Sequence, residues 1–345
     1  MAKRWMAQLM VLAGLLAMAG MALAADRCPT LRHQQSDPLV ATRIAAIACD
    51  EHIRWNRPFI DADGRIASFT SHEAEANGLA DGGAPWRRVA RYWQDAGLLG
   101  QVAQRSGADD CMHAARNPGY PGMGCRGFVV DSAWSAAFVS WVMQRAGLPG
   151  FRHSASHFDY VRAARTAAAG SPYSYMEPLG TPPATGDMLC YVRSNRAQGH
   201  RGLTAIIDGG ATGLAMHCDI VVAAGAGKAY LIGGNLNQAV SMRVLNLNAQ
   251  GQWWGLPVRA DGDVQCSPDT AAACNFHRQD WAVLLKLKPQ EELARIGPVA
   301  PPRWLPEAPP SQACCVNCVV GSGVPRCPAS GQVPVQPAQP QQVEE

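Results

Sequence analysis

Apolar residues recur at helical spacing in four stretches, after which the period of the chain changes. Val40, Ile44, Ile47 and Ala48 fall on one face of a helix predicted from Leu39 to about Trp55. Trp86, Val89 and Trp93 share a face of a second helix, which Pro85 opens and Gly97 stops. A third carries Trp134, Phe138, Trp141, Val142 and Arg145, with Asp131 or Ser132 as its cap, Ser135 in its first turn and Gly147 and Pro149 as its end. A fourth covers His157 to Ala168. The intervening stretch from Ser106 to Gly127 is rich in Gly, Pro, Asn and Cys and reads as a cross-linked loop. From Gly186 onward short β-prone runs take over: Met188 to Val192, His217 to Ala223, Ala229 to Ile232, Val240 to Leu247 and Ala282 to Leu287. Helices followed by strands predict an α+β fold with the helices packed on one face of an antiparallel sheet.

The two ends of the chain read differently. Lys3 and Arg4, the uncharged run from Met6 to Met21 and the small residues Ala22-Leu23-Ala24 have the form of a secretory signal peptide over 1–24. The residues before Cys28 are not those of a lipoprotein signal, so no stable membrane anchor is expected after cleavage. The tail from Pro289 is rich in Pro and Gln, and 289–345 is expected to be a largely extended or disordered extension. Between these ends the reading gives an N-terminal helical segment over 25–66 and an α+β domain over 67–288. The formal charge of the whole chain is +3 with no basic stripe, which argues against nucleic acid as a partner.

Export changes the meaning of the 12 cysteines. In the periplasm or outside the cell, disulfides are the default. Cys111 with Cys125 and Cys266 with Cys274 bracket short stretches, and Cys28 with Cys49 could tie the new N-terminus to the first helix. Cys314, Cys315, Cys318 and Cys327 could form a small knot in the tail. A metal is not expected: in His217-Cys218-Asp219, strand alternation sends Cys218 to the opposite face from the other two.

Candidate chemistry centres on a helix-borne Ser135, a strand-borne His217 and Asn235 just after the next strand. The pieces Trp134-Ser135-Ala136-Ala137-Phe138-Val139, Gly186-Asp187-Met188, His217 and Gly233-Gly234-Asn235 resemble the core of the papain-like cell-wall amidases and peptidases of the CHAP and NlpC type. More narrowly, the arrangement resembles an exported bacterial family of unknown function, the 2272 type, over roughly Ala67 to Leu247. The resemblance implies a papain-like core, with a nucleophile at the helix start, a histidine heading the first strand and a polar residue orienting that histidine. Here the cysteine position is Ser135. A thiol at a helix start can be ionised in advance, whereas a serine must surrender its proton during attack to a base already within hydrogen-bond reach.

Ser135, Val139, Val142 and Ala146 form one helix stripe facing the sheet, and His217, Asp219 and Val221 share one strand face. If that face looks toward the helix, His217 can approach Ser135, with Asn235 or Asp219 orienting its ring. Each residue has a plainer role as well. Ser135 could cap its helix, His217 could be a buried histidine bonded to a carbonyl, and Asn235 could serve a Gly-Gly-Asn turn. Trp134 and His157 are candidate substrate-binding residues, His157 equally a cap of its own helix. The pair His72-Glu73 reads as solvated, and Trp253-Trp254 as core before sugar-stacking. The expected function is amide hydrolysis on peptidoglycan or another envelope peptide polymer, without a cofactor. The alternatives are an inactive peptidoglycan- or peptide-binding module, or a disulfide-rich structural or inhibitory envelope protein whose tail docks a partner.

Overall fold

The computed structural model describes residues 26–68, 71–75, 78–117, 119–302, 317–318 and 325–326. The expected signal peptide and Cys314, Cys315 and Cys327 lie outside the described residues. The chain divides into two units, 1–304 and 305–345. In the second, Asn317–Cys318 and Pro325–Arg326 pair as a short antiparallel ladder.

In the first unit the elements run α1 (Cys28–Leu31), α2 (Val40–Arg54), β1 (Phe59–Ile60), β2 (Ile66–Ser68) and α3 (Pro85–Asp95). They continue with α4 (Ala108–Ala114), α5 (Met123–Asp131), α6 (Ser135–Ala146), α7 (His157–Thr166) and β3 (Tyr173–Met176). Then follow β4 (Met188–Val192), α8 (Gly199–Asp208), β5 (Met216–Gly225), β6 (Lys228–Leu236), β7 (Ala239–Asn246), β8 (Asp280–Leu287) and α9 (Gln290–Ile296). The eight strands form one sheet in the order β2-β1-β7-β6-β5-β4-β8-β3, antiparallel except where β1 pairs with β7. The architecture is therefore mixed α+β, and among the described residues no helix is long and apolar enough to cross a membrane.

Helix α6 shows how sequence becomes position. Its N-cap is Trp134, with no side-chain cap, instead of the expected Asp131 or Ser132; Ser132 is buried in extended backbone. At its other end Gly147 sits at φ 64°, where Cβ-bearing residues are disfavoured, and Leu148 N–H donates to Met143 O at 3.0 Å. The turn carries the chain back along the helix. Ser140 Oγ donates to Ser154 O at 3.0 Å and accepts from Ser154 N–H at 3.1 Å, which pins the start of α7 against α6.

Two apolar clusters fill the sheet's faces. The larger joins α2, α3, α6 and α7 to Cys218, Ile220 and Val222 of β5, and the smaller gathers Leu189, Tyr191, Val221, Leu231, Trp253 and Trp281. Trp253 is thus core, while its neighbour Trp254 is exposed. The stretch Ser106 to Gly127, expected as loop, is two short helices joined by Cys111–Cys125. Positive φ at Gly107 and Gly122 lets each helix start abruptly, and this glycine content is what made the segment read as irregular.

The disulfides Cys28–Cys49 and Cys266–Cys274 are also formed, together with a fourth, Cys190–Cys218, across the β4–β5 ladder. Pro289, expected to begin the extension, instead opens α9, whose Leu293 is buried. Buried Arg43 on α2 gathers distant backbone: it donates to Ala146 O at 2.7 Å, Asp37 O at 2.8 Å, Pro38 O at 3.0 Å and Val299 O at 2.8 Å.

Candidate active site

Ser135 is the first residue of α6 and its side chain is only 5% exposed. Its Oγ lies 2.6 Å from Nε2 of His157, the first residue of α7. The Ser140–Ser154 clasp sets that approach, and Ser154 Oγ, donating to Asp159 Oδ2 at 2.6 Å, shapes the entry into α7. His157 Nδ1 is hydrogen-bonded to the Tyr160 hydroxyl one turn on. Burial, reinforced by neighbouring His217, holds His157 well below the ordinary histidine range, so its ring is neutral near pH 7. If Nδ1–H donates to Tyr160, Nε2 is left with the lone pair that accepts the Ser135 proton.

A second chain of polar groups begins on β5. His217 Nε2 donates to Asp219 Oδ1 at 2.8 Å, and Arg243 Nε on β7 donates to Asp219 Oδ2 at 2.9 Å. Asp219 is fully buried. Burial alone would raise its pKa, but His217 and Arg243 outweigh it and hold the carboxyl at about 2. Arg243 is held in turn by Phe276 O and by His277 Nδ1 at 3.4 Å, while His277 Nε2 donates to Asp61 O at 2.6 Å. The His157 and His217 rings are 5.2 Å apart, centre to centre.

The structure thus pairs Ser135 with His157, and His217 with Asp219, instead of the expected Ser135–His217 pair. The strand face shared by His217, Asp219 and Val221 is not the helix face: Val221 belongs to the smaller cluster, and Cys218 and Ile220 point into the helical core. His157, read as a cap or a substrate contact, holds the hydrogen bond to Ser135. Of the two residues weighed for orienting His217, Asp219 makes the bond. Asn235 sits at a break in the β6–β7 register with φ 52°, the left-handed turn conformation. Gly233 is required here for another reason: a Cβ on it would stand 1.9 Å from Asp219 Oδ1 and 3.0 Å from His217 Nε2.

Trp134 is fully buried, stacked on Trp55 at 5.7 Å between ring centres, so it offers no surface to a substrate. Its Nε1 donates to Glu73 Oε2 at 3.4 Å, and Glu73 N–H donates to Gln238 O at 3.0 Å. Glu73, expected in solvent, is thus buried between the start of α6 and the β6–β7 turn, and burial pushes its carboxyl up to about 7. Its irregular segment carries no periodic signal, which is why the sequence pattern missed it.

Among the described residues no group of three or more His, Cys, Asp or Glu is placed to hold a metal ion, and the disulfide takes Cys218 out of that chemistry. No curated protein and no solved structure matches the chain. Residues 80–287, more than half of it, match the DUF2272 family, described as uncharacterized proteins conserved in bacteria, and the chain belongs to that family.

Proposed function

We propose that the protein is an exported amide hydrolase with a papain-like site of the CHAP and NlpC kind, acting on peptidoglycan or another peptide polymer of the cell envelope. The observation that carries this reading is the 2.6 Å contact between Ser135 Oγ and His157 Nε2 at a helix start. In the reaction, Ser135 Oγ bonds to the carbonyl carbon while its proton passes to His157 Nε2. The oxyanion is met by the first-turn N–H groups of α6, which have no partner within the helix. As the C–N bond breaks, the proton moves to the leaving amine, and water then hydrolyses the acyl-serine ester by the same path in reverse. Ionised Asp219, and not His217, offsets part of the cost of charging His157 while it holds the proton. The expected signal peptide and the four disulfides fit an oxidising compartment.

The test is to incubate the purified mature protein with peptidoglycan fragments and follow fragment masses. Cleavage that disappears in Ser135→Ala supports the enzyme, and no cleavage with any fragment sinks it. A second reading, an inactive binding module, rests on Ser135 standing where the resembled families carry the nucleophilic cysteine. Fragment binding without cleavage, with hydrolysis gained in Ser135→Cys, would point to that module.

A further inference from the structure

Beside the Cys266–Cys274 bridge lies a cavity of about 550 Å³, and none of Ser135, His157, His217 or Asp219 lines it. We propose that this cavity binds a small organic carboxylate carrying an apolar group. Its size falls within the ~300–1,000 Å³ typical of small-molecule sites. Three arginines are among its lining residues, Arg196, Arg259 and Arg278, and among the described residues none of the three is held in an ion pair. The two carboxylates on the lining are turned to shaping the loops: Asp261 Oδ1 accepts from Ala197 N–H at 2.7 Å, and Asp263 Oδ2 accepts from Ala260 N–H at 2.8 Å.

Arg259 supplies the independent sign of a missing partner. Its Nη2 is buried without a hydrogen bond. Leaving a charged donor so is unfavourable, and a small swing of the guanidinium onto an anion in the cavity relieves it. Three arginines against two aspartates leave the lining one positive charge in excess, which a carboxylate balances and a phosphate dianion overshoots. Phe276 and Val264, apolar yet 45% and 62% exposed, offer a surface for the rest of the ligand.

Calorimetric titration of the purified protein with N-benzoylglycine, its carboxamide and phenyl phosphate tests the site. The acid should bind about tenfold or more tightly than the amide, and more tightly than the phosphate, since only the acid offers a charge-matched bidentate acceptor. Arg259→Gln and Arg278→Gln should each weaken it about tenfold, while Ser135→Ala should bind as the parent does. Equal binding of acid and amide, preference for the phosphate, or indifference to both arginine substitutions overturns the proposal. If near-UV dichroism shows Arg259→Gln misfolded, Arg278→Gln and Arg196→Gln decide alone.

Discussion

In the proposed hydrolysis His157 is the base for Ser135, and its protonation state gives a direct prediction. Because burial holds its pKa well below the usual value, the acid limb of the rate profile should lie under about pH 6.5, the reference histidine value. A limb at or above that value would count against His157 as the base. Glu73 gives the opposite sign. Its folded pKa, about 7, is above the unfolded value, so its contribution is fully present below about pH 4.5 and is lost as pH rises through 7. Glu73→Gln should remove that alkaline loss, roughly 1–3 kcal/mol, in urea unfolding at pH 8 compared with pH 5. The order of Ser135, His217 and Asn235 along the chain, with the resemblance those pieces carry, pointed to Ser135 and His217 and left Asn235 and Asp219 as alternatives for orienting the ring. It could not select His157 over His217 as the partner of Ser135, since that choice depends on a serine clasp between α6 and α7.

At the scale of elements, the periodic segments were legible and the short ones were not. Strand β4 spans the predicted Met188 to Val192, and α6 and α7 start close to where apolar spacing placed them. Helix α8 was hidden by Gly199 and Gly202 in its first turns, and β1 and β2 are too short to show a period. The Cys190–Cys218 bond was invisible for a topological reason: pairing two cysteines on neighbouring strands requires knowing that the strands are neighbours. That bond guards the site, because Cys218 lies between His217 and Asp219 and a one-residue slip of β5 would turn both to the other face. Closing a loop of 28 residues, it should contribute about 3.5 kcal/mol, lost in the Cys190→Ala/Cys218→Ala pair and read as a lower urea midpoint. Gly233→Ala should cost about 2–4 kcal/mol by driving a methyl into the Asp219 carboxylate, with the same measurement as its check.

For the molecule as a whole, acid sensitivity should come from histidines before carboxylates. His52 and His277 are pulled down to about 4, the first by burial, the second by burial and Arg243. Their contribution to stability is present above pH ~6.5 and is lost as pH falls toward 4. Asp219, at about 2, follows only in stronger acid. Urea midpoints should therefore fall between pH 6.5 and 4, the range set by the ordinary and shifted histidine values, and flatten in His277→Asn.

The Arg43 side chain, finally, says where the molecule can be cut. One guanidinium reads carbonyls from both extremities of the folded unit, Asp37 near one terminus and Val299 near the other. A shortened chain stopping at Lys288 strands that cation with an unanswered N–H and strips Leu293 from its seat, whereas one stopping at Pro302 keeps both intact.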